Sequence, residues 1–523
     1  MAKVKIQVNG REVEVDEGLN LIEAARIAGV EVPHFCYHPG LGVDGNCRQC
    51  LVEIDGIPKL QIACNSFVKD GLAFRTDTER VTRMQAGVLE FLFLNHPLDC
   101  PICDQSGECL LQDYYISNGK YESRLDTDKR HKRKAVPVGP RVMLDAERCV
   151  LCSRCVRFCD KVTGTGEMRI VNRGNRAEIT TYPDRPLEND YSLCTVDVCP
   201  VGALTSKDFR FRKRVWHLQS AKSLCTGCSR GCNVYMEHEG GKVYRYRPRE
   251  NMHVNDFWMC DPGRLTYTPL NDERLDVAIV TGEERTLPES IEQVGTWINI
   301  AVASGQSDSV AVLVSPQSST ETLYAAKRFA KDILGGARIG GGNVRPAGVQ
   351  DEILRRADAN PNSKGLEMLG LSADPAAVLS AGGTVLLVID DDPLGMNPDL
   401  AGAFGKFEHV VYLGSNENAT SAKAEIALPI TPHSECDGTF VNFEGRVQRF
   451  WKALTPRGDS LWSPTIMGRI AEFTGQEFGW KSVRDLWADL QKTEDAFAAI
   501  DYASLGEVGA AAGSGQPASA SAE

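Results

Sequence analysis

Seventeen of the eighteen cysteines lie within residues 1–260, and only Cys436 lies beyond them. Thiols at that density force a choice between disulfides and metal. The opening MAKVKIQVNGREVEV has no long apolar segment and no small-residue cleavage site, so no secretory signal is expected. A reducing, cytosolic setting disfavours a disulfide framework, and clustered thiols there point to metal. The chain therefore divides into a metal-rich N-terminal half and a metal-poor C-terminal half. With 523 residues, 42% apolar and 24% charged, it is long enough for several soluble domains of roughly 100–200 residues each. The net charge of −12 argues against non-specific nucleic-acid binding and against an anionic membrane surface. No run approaches the ~18 consecutive apolar residues of a membrane span; the stretch from Pro375 to Ile389 is interrupted by Ser380, Gly382, Gly383 and Thr384.

Residues 4–15 (VKIQVNGREVEV) alternate around Asn9-Gly10, a hairpin signal. Asn20 caps a following helix, with Glu23 placed as in a capping box and Gly29 closing it. Together these suggest a small β-grasp domain. From Thr78 to Asn95 an amphipathic helix is expected, with Val81, Met84, Val88, Phe91 and Leu92 as its core face. Residues 129–134 (KRHKRK) read as a solvated loop or as a docking patch for an acidic partner subunit. Residues 233–247 (NVYMEHEGGKVYRYR) suggest a strand pair. Beyond Leu275 the texture becomes α/β, with Val310–Val314, Val385–Ile389 and Val410–Leu413 as buried parallel strands. Gly340-Gly341-Gly342 reads as a turn rather than a phosphate cradle, and the Ala/Gly/Ser-rich tail from Gly506 as disordered.

Four cysteine groups carry the chemistry. Cys36, Cys47, Cys50 and Cys64 (C-x10-C-x2-C-x13-C) follow the β-grasp-like opening, which favours a binuclear iron–sulfur site over zinc. His96, Cys100, Cys103 and Cys109 (H-x3-C-x2-C-x5-C) fit a structural zinc or an iron–sulfur cluster, and the residues alone leave both open. Cys149, Cys152 and Cys155, with the distant Cys199-Pro200, have the tetranuclear spacing of bacterial ferredoxins. Cys159 and Cys194 lack two further thiolates for a second such cluster and read as free buried thiols. Cys225, Cys228, Cys232 and Cys260 (C-x2-C-x3-C-x27-C) favour another tetranuclear cluster.

In this order the groups resemble those of a known family, the large iron–sulfur subunits of respiratory complex I (NADH-quinone oxidoreductase). The resemblance is close to about residue 275 and looser beyond, where Glu435, Gly438, Thr439, Asn442, Glu444, Gly445 and Arg446 look like a molybdopterin-oxidoreductase signature. It implies a multidomain α+β and α/β chain. A β-grasp [2Fe-2S] ferredoxin-like domain (1–80) would be followed by a one-His three-Cys [4Fe-4S] segment (81–122) and a bacterial-ferredoxin-like [4Fe-4S] domain (140–215). A fourth [4Fe-4S] domain of molybdopterin-oxidoreductase type (218–274), a degenerate molybdopterin-oxidoreductase-like α/β domain (275–500) and the tail (506–523) would complete it. It further implies that all sixteen positions ligate one [2Fe-2S] and three [4Fe-4S] clusters, His96 included. No molybdenum and no catalytic residue are expected. The first three clusters would form a wire from a flavin/NADH-binding subunit and its small 2Fe-2S partner to the quinone-proximal iron–sulfur subunits. The Cys225 cluster would stand apart as a relic. The chain would be peripheral on the cytoplasmic side of the inner membrane, held there only through the complex.

The rival is a catalytic molybdopterin subunit of an NAD-linked formate dehydrogenase-like enzyme. Active relatives carry a Lys two residues after the fourth cysteine, where Pro262 stands here. They also ligate the metal with Cys or selenocysteine, yet no cysteine occurs between 261 and 435. The β domain that completes the pterin pocket is expected to be missing. A zinc-rich scaffold without redox function is a third reading, one that requires neither ferredoxin geometry nor a β-grasp start.

Overall fold

The computed structural model describes residues 2–342 and 345–512, in two compact units that divide between Leu218 and Gln219. In the first unit the hairpin forms as expected. Lys3–Val8 pairs antiparallel with Arg11–Asp16, and Asn9 and Gly10 both take positive φ (51° and 81°), the conformation a two-residue hairpin turn requires. These strands join Ala73–Arg75, Leu51–Ile54 and Gln61–Ile62 in a five-stranded sheet. The alternating Val4, Ile6 and Val8 meet Leu21, Ala24 and Ala25 of the Leu21–Ile27 helix in its core. Asn20 accepts from the N–H groups of Ile22 and Glu23, but Glu23 turns to Arg26 and Tyr37 instead of closing a reciprocal box.

The Glu79–Phe93 helix starts at the Thr78 cap, yet its buried face is not the expected one. Val81, Gln85, Ala86 and Leu89 are buried, whereas Met84 and Phe91 are 45% and 76% exposed. The helix packs against Leu110–Asn118 and Leu51–Ile54. Gln85 donates to the Leu51 carbonyl, so a hydrogen-bonded polar residue occupies a core position that hydrophobicity alone assigns to a neighbour. The ferredoxin-like part carries a three-stranded sheet (Leu204–Ser206, Val142–Leu144, Val136–Pro137), a Met168–Val171/Glu178–Thr181 hairpin and the Arg154–Lys161 helix. The basic run at 129–134 is largely committed within the unit. Lys129 donates to the Phe93 and His96 carbonyls, Lys132 to that of Ala177, and Lys134 pairs with Asp99 and Glu147.

The second unit opens with an antiparallel sheet of Gln219–Leu224, Asn233–Glu239 and Lys242–Pro248. A seven-stranded sheet follows in the order Glu283–Arg285, Ala278–Val280, Ile426–Pro429, Phe407–Gly414, Gly383–Ile389, Val310–Val314, Arg338–Gly341. Its last five strands are parallel, and they include all three expected ones. The glycine run is not the expected turn. Gly340 and Gly341 lie in the edge strand, where added Cβ atoms would stand 2.6 Å from Val378 and from Leu366, so close packing is what excludes side chains. The expected disordered tail begins too early at 506. Ala510–Ala511 pairs with Arg446 and Val447, and Glu507 forms ion pairs with Lys222 and Arg249; residues 513–523 lie outside the described residues. Among the described residues no helix is long and apolar enough to cross a membrane.

Candidate metal centres

The first donor set grows out of the loop after the Leu21–Ile27 helix. Positive φ at Gly42, Gly45 and Arg48 turns consecutive amides inward, the concave arrangement that receives anions. The N–H groups of Gly45, Asn46 and Cys47 reach the Cys36 sulfur. The four thiols associate in two pairs. A hydrogen bond from Cys47, helped by those amides, pulls Cys36 down to about 5, and one from Cys50 pulls Cys64 below the usual thiol range. The donors Cys47 and Cys50 are pushed up correspondingly. The fold thus lowers one thiol of each pair and raises the other.

His96, Cys100, Cys103 and Cys109 line one small cavity of about 20 Å³, with Asp99 and Arg148 in its wall. Cys109 sits at the N-cap of Leu110–Asn118, where the Leu111 and Gln112 amides face its sulfur. Burial, aided by Lys129 and Arg148, drops His96 to about 4, so its imidazole is neutral, the form that ligates metal. Cys100 is exposed at the cavity mouth. Gly202 closes the far side, where a Cβ would stand 2.4 Å from the Cys103 sulfur.

The third set pairs the turn before the Arg154–Lys161 helix with Cys199. Leu151 and Ser153 both adopt left-handed φ (53° and 65°), and the Leu151 N–H reaches the Cys149 sulfur at 3.4 Å. The Val201, Ala203 and Leu204 amides face the Cys199 sulfur. Burial pushes Cys152 up to about 11 and raises Cys149, Cys155 and Cys199 as well. Four buried or half-buried thiols that resist ionisation suit a cationic metal core, whose charge deprotonates its ligands outright. Cys159 and Cys194 are fully buried.

Cys225, Cys228, Cys232 and Cys260 ring a cavity of about 200 Å³ in the second unit, with Pro262 in its wall. The Gly227 and Gly263 amides donate to the Cys225 and Cys260 sulfurs at 3.3 and 3.4 Å. Side chains are excluded there, since a Cβ on Gly263 would lie 3.0 Å from one sulfur and 3.1 Å from another. Among the described residues no three His, Cys, Asp or Glu side chains converge on a single-ion position. At each of the four places soft sulfur donors meet backbone amides, and this donor set fits an iron–sulfur cluster.

A second cavity of about 370 Å³ lies where the parallel sheet changes direction, beyond the ends of Val310–Val314 and Gly383–Ile389. Crevices at such a point are where open α/β sheets bind ligands. This one is lined by Asp390, Asp391 and Asp392, and burial raises Asp390 to about 6 and Asp391 to about 7. The signature residues beside it are occupied structurally. Glu435 forms a fully buried pair with Arg274 at 2.6 Å, and Glu321 accepts from the Thr439 amide and hydroxyl. Asn442 accepts from the Glu444 and Arg446 amides, and a Cβ on Gly438 would meet the Phe450 ring at 2.6 Å. Sequence reasoning missed these aspartates, although a DDD run closing an apolar strand was a readable signal. It also passed over Arg154 and Arg157, for which the cysteine spacing gave no cue.

Comparison with known proteins gives the same order of parts. A "2Fe-2S iron-sulfur cluster binding domain" matches residues 1–79, and an "NADH-ubiquinone oxidoreductase-G iron-sulfur binding region" matches 85–124. The "NADH-quinone oxidoreductase subunit 3, ferredoxin-like domain" matches 139–205, a "Molybdopterin oxidoreductase Fe4S4 domain" 218–272 and "Molybdopterin oxidoreductase" 381–472. The NADH-quinone oxidoreductase G subunit of Rickettsia conorii is 28% identical over 95% of this chain and 92% of its own length. Its namesake in Streptomyces coelicolor is 38% identical over 63% of this chain and 39% of its own. A chain of the H2-reduced NAD+-reducing [NiFe]-hydrogenase crystal structure is 30% identical, covering 41% of this chain and 92% of that one, with a TM-score of 0.37. Both the 2Fe-2S and the 4Fe-4S domain types are therefore present, and the chain belongs to the family of NADH-quinone oxidoreductase G subunits.

Proposed function

We propose that this chain is an electron-transfer subunit of a proton-pumping NADH:quinone oxidoreductase. In this reading it carries one [2Fe-2S] cluster on Cys36, Cys47, Cys50 and Cys64. Three [4Fe-4S] clusters sit on His96/Cys100/Cys103/Cys109, Cys149/Cys152/Cys155/Cys199 and Cys225/Cys228/Cys232/Cys260. When bound, such clusters supply one-electron redox chemistry. The chain's own residues exclude water, aim amides at the sulfurs and keep His96 neutral.

One observation carries the proposal: members of the first three sets pack on a single buried core. Phe35, Cys36, Leu89, Cys109, Leu111, Tyr114, Cys152, Val201 and Ala203 form it, with Cys47, Cys149 and Cys199 against it. The third set touches both others. Asn46 donates to the Leu151 carbonyl, and Leu110 to that of Pro200. This supports an electron path from the Cys36 set through the Cys149 set to the His96 set. The donor upstream would be the flavin/NADH-binding subunit with its small 2Fe-2S partner. The acceptors would be the quinone-proximal iron–sulfur subunits, with the chain peripheral on the cytoplasmic side of the inner membrane.

A catalytic molybdopterin role is not favoured, because Pro262 holds the position of the bridging Lys and the signature residues are spent on structure. Anaerobic metal analysis with low-temperature EPR tests the reading. About 14 iron per chain, the sum for one binuclear and three tetranuclear clusters, is expected without molybdenum. Molybdenum near one per chain would make the chain a catalytic subunit instead.

A further inference from the structure

The Arg154–Lys161 helix carries two buried guanidinium groups between the first and third donor sets, with Arg154 6% and Arg157 9% exposed. Arg154 donates to the Val198 carbonyl at 3.2 Å and to that of Tyr37. Arg157 donates to the carbonyls of Leu41 (3.2 Å), Gly42 (2.9 Å) and Cys36, and to the Ser153 hydroxyl (3.1 Å). The acceptors flank Cys36 on one side and Cys199 on the other, yet every one is neutral. Neither arginine has a carboxylate partner among the described residues, and the Arg154 Nε has no acceptor at all. The arginine of the second set differs, since Arg148 pairs with Asp99 at 3.1 Å and with Asp145 at 3.3 Å.

A buried cation without a counter-ion is strongly unfavourable, so this pair requires an anion the protein part does not supply. An iron–sulfur centre held by four thiolates is anionic, and more so by one charge when reduced. We propose that Arg154 and Arg157 are the counter-ions of the Cys36 and Cys149 centres, positioning residues that raise both reduction potentials together. This rests on the proposal that those sets hold clusters. Reduction adds one electron to a centre, and the guanidinium groups keep their protons throughout.

The test is an anaerobic EPR-monitored redox titration of the assembled complex carrying Arg154→Met or Arg154→Lys. In Arg154→Met the midpoints of the Cys36 and Cys149 centres should both fall by about 59 mV, a tenfold change for a one-electron couple. The midpoint of the His96 centre should not move. Arg154→Lys keeps the charge but not the carbonyl-bridging fork, so its midpoints should stay near wild type. Arg157→Met and Arg157→Lys should repeat the pattern if the Arg154 variants do not assemble. Wild-type midpoints in the Met variants, or equal shifts for Lys and Met, would overturn the inference while leaving the clusters in place. A wild-type complex without the two signals would overturn the underlying reading instead.

Discussion

The two units use one local device and build different things with it. In each, sulfur donors lie under backbone amides and beside residues too crowded for a side chain, as at Gly202 in the first unit and Gly263 in the second. The first unit then locks three donor sets onto one core, through contacts such as Ser153 to Asp44 at 2.7 Å, 109 positions apart in sequence. The second unit has one set and an α/β crevice whose signature residues bond to the surrounding scaffold. In the proposed reading, cluster binding and active-site chemistry separate: the second unit keeps its thiols while its crevice carries no reaction.

The largest expected effect breaks this comparison most directly. His96→Ala removes a donor from a set in the proposed path. NADH-to-quinone electron flow should fall by more than about tenfold, beyond what loss of an outer-shell partner costs, with one tetranuclear EPR signal lost or altered. Cys228→Ala should instead lower the yield of assembled complex and leave turnover per assembled complex near wild type. Unaltered quinone reduction in the first variant would remove His96 from the path. Full assembly with blocked flow in the second would make the Cys225 set a conduit.

A smaller effect sharpens the same contrast. Gly202→Ala would push a methyl to 2.4 Å from the Cys103 sulfur and 3.0 Å from Gln105, overpacking worth about 1–3 kcal/mol. It should weaken the His96-set signal and slow electron flow together. In Gly263→Ala the same intrusion falls on Cys225 and Cys260, so stability should drop while flow per complex holds. Thermal unfolding and turnover, measured on both variants, separate the two outcomes.

How far these sites were legible from sequence depended on whether the signal was local. Asn9-Gly10, Asn20 and the apolar run Val310–Val314 state their conformation within a few residues, and the structure follows them. The face of Glu79–Phe93 was misjudged because Gln85 gains a backbone partner 34 residues away, which no hydrophobic period records. Gly340 and Gly341 looked like a turn because sequence cannot show Val378 and Leu366 arriving from later in the chain. The cysteine groups proposed as cluster sites were legible as spacing patterns, because most members of each lie close together in the sequence. Arg154 and Arg157 were not, because their role depends on carbonyls more than 100 residues earlier.

The smallest effect is a difference in sign between the units. In the first, burial pushes Asp99 and Glu147 up, but hydrogen bonds from Lys134 to both, and from Arg148 to Asp99, outweigh it and hold them below the usual carboxylate range. The unfolded chain then binds more protons than the native one, so their contribution is present above the unfolded value near 4 and is lost as pH falls further. In the second unit burial raises Asp391 to about 7. Here the native state holds the extra proton, and stability declines as pH rises from about 4 to about 7. Asp391→Asn should therefore stabilise the second unit, most above pH 7 and little near pH 4. Hydrogen exchange, followed segment by segment from below about pH 4 to about pH 7, should show the first unit gaining protection up to about pH 4 and holding it, while the second loses protection from about pH 4 to about pH 7. A variant whose advantage does not grow with pH would mean that burial does not raise Asp391 and that it ionises near the usual carboxylate value in the native protein.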